Sequence, residues 1–176
     1  MSGPLDGIRI VDLSVAITGP LAAGMLVDQG ADCVKVEQAP TGDVVRWLGS
    51  TVAGISAIFQ AANRGKRSIV LDLGQADGLA ILRDLVADAD VLVQNFRPGV
   101  AERLGVAYDD IRSIRPDIVY ADLTGFGPSG PYSHRRAYDT VFHATEAGLA
   151  AARPGASCAD LYKAMQSVLG SMQSAG

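Results

Sequence analysis

Apolar residues in this chain fall into short unbroken blocks, separated by longer segments with helical spacing. The blocks "IRIVDL" (8–13), "DCVKVE" (32–37), "RSIVLDL" (67–73), "DVLVQ" (90–94) and "PDIVYADL" (116–123) are rich in Val, Ile and Leu. Each reads as a buried strand. Between them, residues 21–29 predict a helix stopped by Gly30, and "ISAIFQAANRG" (55–65) has helical spacing and ends in Gly65. "QADGLAILRDLVADA" (75–89) places Leu79, Ile81, Leu82, Leu85 and Val86 on or near one face, which predicts an amphipathic helix. Two short helices flank Gly105. Residues 38–54 read as irregular, with "APTGD" as a turn and a short amphipathic piece around Trp47. Short strands alternating with helices predict an α/β fold, a parallel sheet with helices on both faces. Ligands on such sheets bind beyond the carboxyl ends of the strands. The loops after Leu13, Glu37, Leu73, Gln94 and Leu123 are therefore expected along one rim.

Composition narrows the function. A chain of 176 residues is one domain, or one and a fraction, and can bury a substantial core. A net charge of −4 argues against a nucleic-acid partner, since phosphate neutralisation needs a basic face. Cys33 and Cys158 form no CxxC pair and read as free thiols. The apolar stretch "IRIVDLSVAITGPLAAGMLV" is interrupted by Asp12 and broken by Gly19-Pro20. It lacks the leader of a signal peptide and the length of a membrane span, so a cytoplasmic protein with no membrane partner is expected.

Several chemistries lack their motifs. The loop after the first strand, "SVAITGPLAAG", holds no G-x-G-x-x-G, and no Walker loop occurs. "GPSGP" (127–131) is not a nucleophile elbow. His134 and His143 have no carboxylate partner at ligand spacing, and no metal is expected. Basic residues are the remaining candidates: Arg64, Lys66 and Arg67 in "NRGKRS", Arg97 and Arg103 in "QNFRPGVAERLG", and Arg135 with Arg136. A solvated surface is the plain reading of such charges. Asn63, Asn95 and Phe96 beside them suit an adenine ring or an acyl-pantetheine arm, and Arg and Lys suit phosphates. A short helix opening at Pro98 would put Arg97 at its N-terminus, where backbone N–H groups favour an anion. The glycine-rich "LTGFGPSGPYSHRRAYD" (123–139) reads as a flexible cover or a close backbone approach to a ligand.

"PLDGIRIVDLS", "GPLAAGMLVDQGADCVKVE", "GD..R", "NRGKRSIVLDL", "DADVLVQNFRPGVAERLGV", "PDIVYADLTGFGPSGPY" and "YD" together resemble, in order and spacing, the N-terminal part of the class III CoA-transferases. That family includes formyl-CoA and carnitine CoA-transferases and is related to the α-methylacyl-CoA racemases. The resemblance covers residues 4–139 and implies a Rossmann-like CoA-binding domain, truncated and followed by a helical tail over 140–176. It implies that Ala16, Ile17 and Thr18 line the CoA channel. Asn63, Lys66, Arg67, Arg97 and Arg103 would approach the nucleotide phosphates, Asn95 and Phe96 would flank adenine or pantetheine, and Tyr138 would face the acyl group. The implied substrates are acyl-CoA and a carboxylic acid, with no covalently bound cofactor, and the full-length family is dimeric. The implied chemistry is attack of an aspartate on the acyl-CoA thioester. Racemases carry a His-Asp pair where this chain has Tyr138-Asp139, which favours transferase over racemase. A non-catalytic CoA-binding or inert fragment is the remaining alternative.

Beyond Asp139 the likeness to the family is lost. Its nucleophilic Asp would fall near Val168, and Asp160, within "SCADLYKAMQ", is only a weak candidate. The plain reading of Asp160 is the first turn of an amphipathic helix capped by Ser157. The tail, residues 144–176, resembles the opening of the creatinase and aminopeptidase P catalytic domain around "EAGLAAARPGASCADL". A junction with foreign sequence is expected within residues 139–148.

Overall fold

Strand blocks of Val, Ile and Leu bury both faces only if helices cover them, and the chain folds that way. The computed structural model describes residues 3–133 and Lys163. Strands β1 (Arg9–Asp12) and β2 (Asp32–Gln38) enclose helix α1 (Thr18–Val27). A 3-10 turn (Val44–Trp47), a small hairpin of β3 (Thr51–Val52) and β4 (Ile55–Ser56), and α2 (Ala57–Asn63) lead to β5 (Arg67–Leu71). Then follow α3 (Ala76–Ala87), β6 (Val91–Gln94), α4 (Val100–Leu104), α5 (Tyr108–Ile114) and β7 (Val119–Asp122). The main sheet runs β5-β2-β1-β6-β7, and every pairing is parallel.

Side chains alternate between two cores. Ile10, Cys33 and Val93 face α1, where they meet Ala23 and Ala31. Val11, Val36 and Leu92 face the opposite side and pack with Leu82 and Val86 of α3 and Ile111 of α5. Leu82, Val86 and Leu92 are fully buried, each contributing about 1.5–3 kcal/mol of burial free energy. Helix α2 packs on α1 at Gly24, where an added Cβ would stand 3.0 Å from the Ala62 carbonyl oxygen.

The five strands, the 75–89 helix and the two helices around Gly105 form where the apolar pattern places them. Other details differ: Thr51–Val52, inside the stretch 38–54 expected to be irregular, forms strand β3, and several element ends shift by one to three residues. Helix α1 opens at Thr18 rather than residue 21, because Pro20 lies in the first turn, where a missing N–H costs nothing. The segment 55–65 begins as strand β4, and its helix starts only after Ser56, whose hydroxyl caps the Phe59 N–H.

The chain divides into two units, Met1–Leu123 and Thr124–Gly176. Of the second unit, residues 124–133 and Lys163 are described; there the Gly127 N–H donates to Thr124 Oγ1 at 2.8 Å and the Phe126 and Tyr132 rings lie 6.2 Å apart. No helix among the described residues is long and apolar enough to cross a membrane. Nor does any group of three or more His, Cys, Asp or Glu among them form a metal cluster.

Candidate functional site

In this strand order the chain leaves β1 toward β2 on one side and later returns to β6 on the other. The crevice at the carboxyl ends of β1 and β6 is therefore the topological switch point. Two loops meet there, 13–17 after β1 and 95–99 after β6. Asn95 ties them together: its Oδ1 accepts from the Val15 N–H at 2.8 Å, and its Nδ2 donates to the Val15 carbonyl at 2.8 Å. The side-chain amide thus stands in for a neighbouring strand.

Asp12, the last residue of β1, is fully buried and accepts from the Ser14 N–H at 2.9 Å and from the Ser14 hydroxyl. It also pairs with Lys66 Nζ at 2.8 Å. That ammonium donates further to the Pro20 carbonyl at 2.6 Å and to Asn63 Oδ1 at 3.0 Å. All three of its protons are therefore used. Burial lowers the Lys66 pKa, against the opposing pull of Asp12.

Cys33, Lys35 and Glu37 alternate onto the α1 face of β2 and are buried. Lys35 Nζ donates to the Ser14 carbonyl at 2.7 Å and pairs with Asp43 Oδ2 at 2.9 Å. Asp43 in turn accepts from the Ala16 N–H at 3.1 and 3.2 Å and from the Val45 N–H at 3.1 Å. Ala16 is held at φ 67°, a left-handed conformation that costs an L-residue about 1–2 kcal/mol. Glu37 accepts from Arg46 at 2.6 Å through both Nε and Nη2, from the Asp43 N–H at 2.9 Å and from Ser68 Oγ at 2.5 Å. Burial raises its pKa, but the hydrogen bonds from Arg46, Ser68 and the Asp43 N–H outweigh it and hold the carboxyl at about 2. The Arg46 guanidinium also lies 3.8 Å from the centre of the Phe59 ring. Gly42 makes room for this cluster: a Cβ there would come within 2.8 Å of Glu37 Oε2. Burial first, and then Asp12, pushes the Cys33 thiol up to about 12, so it stays protonated.

Ala16, Ile17 and Thr18 lie at the switch point, Ala16 buried and the other two exposed at the start of α1. Arg97 and Arg103 are exposed on the loop after β6 and on α4, at the same end of the sheet. Phe96 is half-buried and packs against the α3-side core, with its N–H donating to Gln94 Oε1 at 2.6 Å. Helix α4 opens at Val100 behind Gly99 at φ 82°, so Arg97 precedes the helix rather than opening it.

The "NRGKRS" cluster does not join that group, which corrects the expectation of one converging basic rim. Arg64 pairs with Asp28 and donates to the Ala61 carbonyl. Lys66 points inward to Asp12, and Asn63 spends its amide on Lys66 and on the Phe59 carbonyl. Arg67 is the first residue of β5, at the amino ends of the strands, and pairs with Asp32 at 2.6 Å. It therefore lies at the opposite end of the sheet from Arg97 and Arg103. Tyr138, Asp160, Cys158, His134, His143, Arg135 and Arg136 lie outside the described residues.

Sequence reasoning missed Lys35, Glu37, Asp43 and Arg46 as parts of the site. Their signal was present: "VKVE" places two charges within a buried strand, and buried charges require partners. The partners are the Asp and Arg of "GD..R". Asp122, at the carboxyl end of β7, was also missed. Burial and then Glu102 raise its pKa, against a hydrogen bond from Gln94. Tyr120 is pushed up to about 12 by burial and then by Asp122, and its hydroxyl donates to the Val106 carbonyl at 2.9 Å.

The family described as CoA-transferase family III matches residues 5–171, a span that takes in most of the segment likened to the creatinase family. An acetyl-CoA:oxalate CoA-transferase of Acetobacter aceti is 44% identical over 142 residues, 81% of this chain and 36% of that protein. A succinyl-CoA:glutarate CoA-transferase of Mus musculus is 41% identical over 139 residues, 78% of this chain and 32% of that protein. The crystal structure of a CAIB/BAIF family protein from Brucella suis superposes with a TM-score of 0.76 at 37% identity, covering 96% of this chain and 50% of that one. The chain thus spans about a third of the length of these curated relatives.

Proposed function

Since this chain belongs to CoA-transferase family III, we propose that it handles the coenzyme in a transfer of CoA between two carboxylic acids. Acyl-CoA and a second carboxylate would be the substrates. One observation carries the reading: the turn at 14–17 is fixed at the switch point by β1, by the loop after β2 and by the loop after β6. A turn pinned from three directions presents its backbone to a ligand with little ordering cost.

The rim offers chemistry suited to a nucleotide thioester. The Ile17 side chain offers no cap to α1, and the N-terminus of a ten-residue helix favours an anion. Arg97 and Arg103 stand on the adjoining loop and helix, and each phosphate contact would be worth about 1.5–3 kcal/mol. Phe96 supplies an aromatic edge beside them. Asn95 acts by shaping the turn at Val15, a role that replaces the direct ligand contact expected from sequence.

In the transfer, a carboxylate oxygen attacks the thioester carbonyl and CoA leaves as thiolate, giving a mixed anhydride. The thiolate then attacks the enzyme acyl carbon, releasing the first acid and leaving an enzyme thioester from which the second acid takes CoA. Among the described residues no group is assigned as that nucleophile, so binding is the property to measure first. Isothermal titration of the 176-residue chain with CoA should show saturable heat. Absence of heat at about 1 mM CoA, with the fold intact by circular dichroism, removes the reading. Arg97→Ala with Arg103→Ala should weaken binding by at least about tenfold while the fold and the unfolding temperature stay as they are.

A further inference from the structure

The geometry points to Asp43 as the residue that positions the coenzyme-binding turn, acting through the backbone of Ala16 rather than by touching ligand. The inference rests on the coenzyme-binding reading above and deepens it.

Asp43 is 1% exposed and sits where three elements meet. Its carboxylate accepts from the N–H of Ala16, pairs with Lys35 of β2 and caps the 3-10 turn through the Val45 N–H. Its own N–H donates to Glu37, so the loop bearing it is anchored to the end of β2. Ala16, at the other end of this contact, has φ 67°. That conformation is costly for an alanine, because its Cβ crowds the following carbonyl. The charge-assisted bond from its N–H to Asp43 offsets that cost. Ala16 is followed at once by Ile17 and Thr18, the N-cap and first residue of α1. The direction of the helix start, and of its first N–H groups, therefore depends on the Ala16 dihedral. Asn95 fixes Val15 and Asp12 fixes Ser14, whereas Asp43 holds the Ala16 N–H.

This arrangement has a signature that general structural support would lack. Glycine adopts positive φ without penalty. If Asp43 acts by holding Ala16, then Ala16→Gly should compensate for its loss. The test is calorimetric titration with CoA of the wild-type chain, Asp43→Asn, Ala16→Gly and the double variant, each checked by circular dichroism. Asp43→Asn should bind about tenfold more weakly, and the double variant should return to within about threefold of wild type. The amide of Ala16 should exchange with solvent faster in Asp43→Asn while core amides keep their protection. Equal affinity in folded Asp43→Asn, or no recovery in the double variant, overturns the inference. Should Asp43→Asn fail to fold because Lys35 is left buried without its partner, Lys35→Met with Asp43→Leu removes both charges together. The same loss and recovery are then expected in that background. A wild-type chain that does not bind CoA defeats the coenzyme reading instead; faster Ala16 exchange in the variant would still support the positioning role, and unchanged exchange would end it.

Discussion

The two ends of the parallel sheet use the same residue types to opposite effect. At the amino ends, Arg67 meets Asp32, Arg9 meets Asp88 at 3.7 Å and Arg115 meets Asp90 at 3.4 Å, all with substantially exposed side chains. At the carboxyl ends, Lys66 meets Asp12 and Lys35 meets Asp43 with side chains at most 1% exposed. Water screens the first set, and such pairs contribute at most about 1 kcal/mol. The second set has lost its water, so each charge depends on its partner and on backbone groups of the turn at 14–17. Burial converts ion pairing from surface decoration into a constraint on geometry. That constraint lies at the end of the sheet where ligands bind.

The sharpest test of this contrast removes one buried partner. Lys66→Met should leave the buried Asp12 without its cationic partner and destabilise the fold by about 3–5 kcal/mol in urea unfolding. A loss below about 1 kcal/mol would place this pair with the exposed ones. Acid titration comes next. The folded-state pKa of Glu37, about 2, lies below its ordinary 4.5. Its contribution of roughly 3 kcal/mol is thus complete above the ordinary value and disappears as pH falls through the folded one. Glu37→Gln should flatten the stability profile between those two pH values; an unchanged slope would assign the acid sensitivity elsewhere. Asn95→Ala leaves the N–H and C=O of Val15 without their side-chain partner and should cost about 1–3 kcal/mol, together with weaker CoA binding. Smallest of all, Arg67→Ala should change stability by less than about 1 kcal/mol and leave CoA affinity unaltered. A marked loss of affinity there would break the division between the two ends.

The sheet was legible because its signals are local. Each apolar block carries its own bounding turn residues, and the 75–89 helix shows its own face. The basic cluster was misjudged because Arg67 opens a strand, whereas Arg97 follows one. In a parallel sheet those positions lie at opposite ends, and each residue of strand adds about 3.3 Å of separation. Adjacent letters also diverge: Lys66 turns into the protein toward Asp12, while Arg67, next in sequence, faces solvent beside Asp32. Nothing in the letters distinguishes the buried cation from the exposed one.

By itself the sequence determined the α/β class, the order of strands and helices, the family likeness and the presence of charges within a buried strand. These follow from side-chain periodicity and turn chemistry, which act over a few residues. Only the tertiary structure decided which charges meet. Asp12 and Lys66 are 54 residues apart, Val15 and Asn95 are 80 apart, and Ala16 and Asp43 are 27 apart. Their contacts exist because crossover helices return the chain to the same edge of the sheet, and because a charge removed from water must find a partner wherever the fold supplies one.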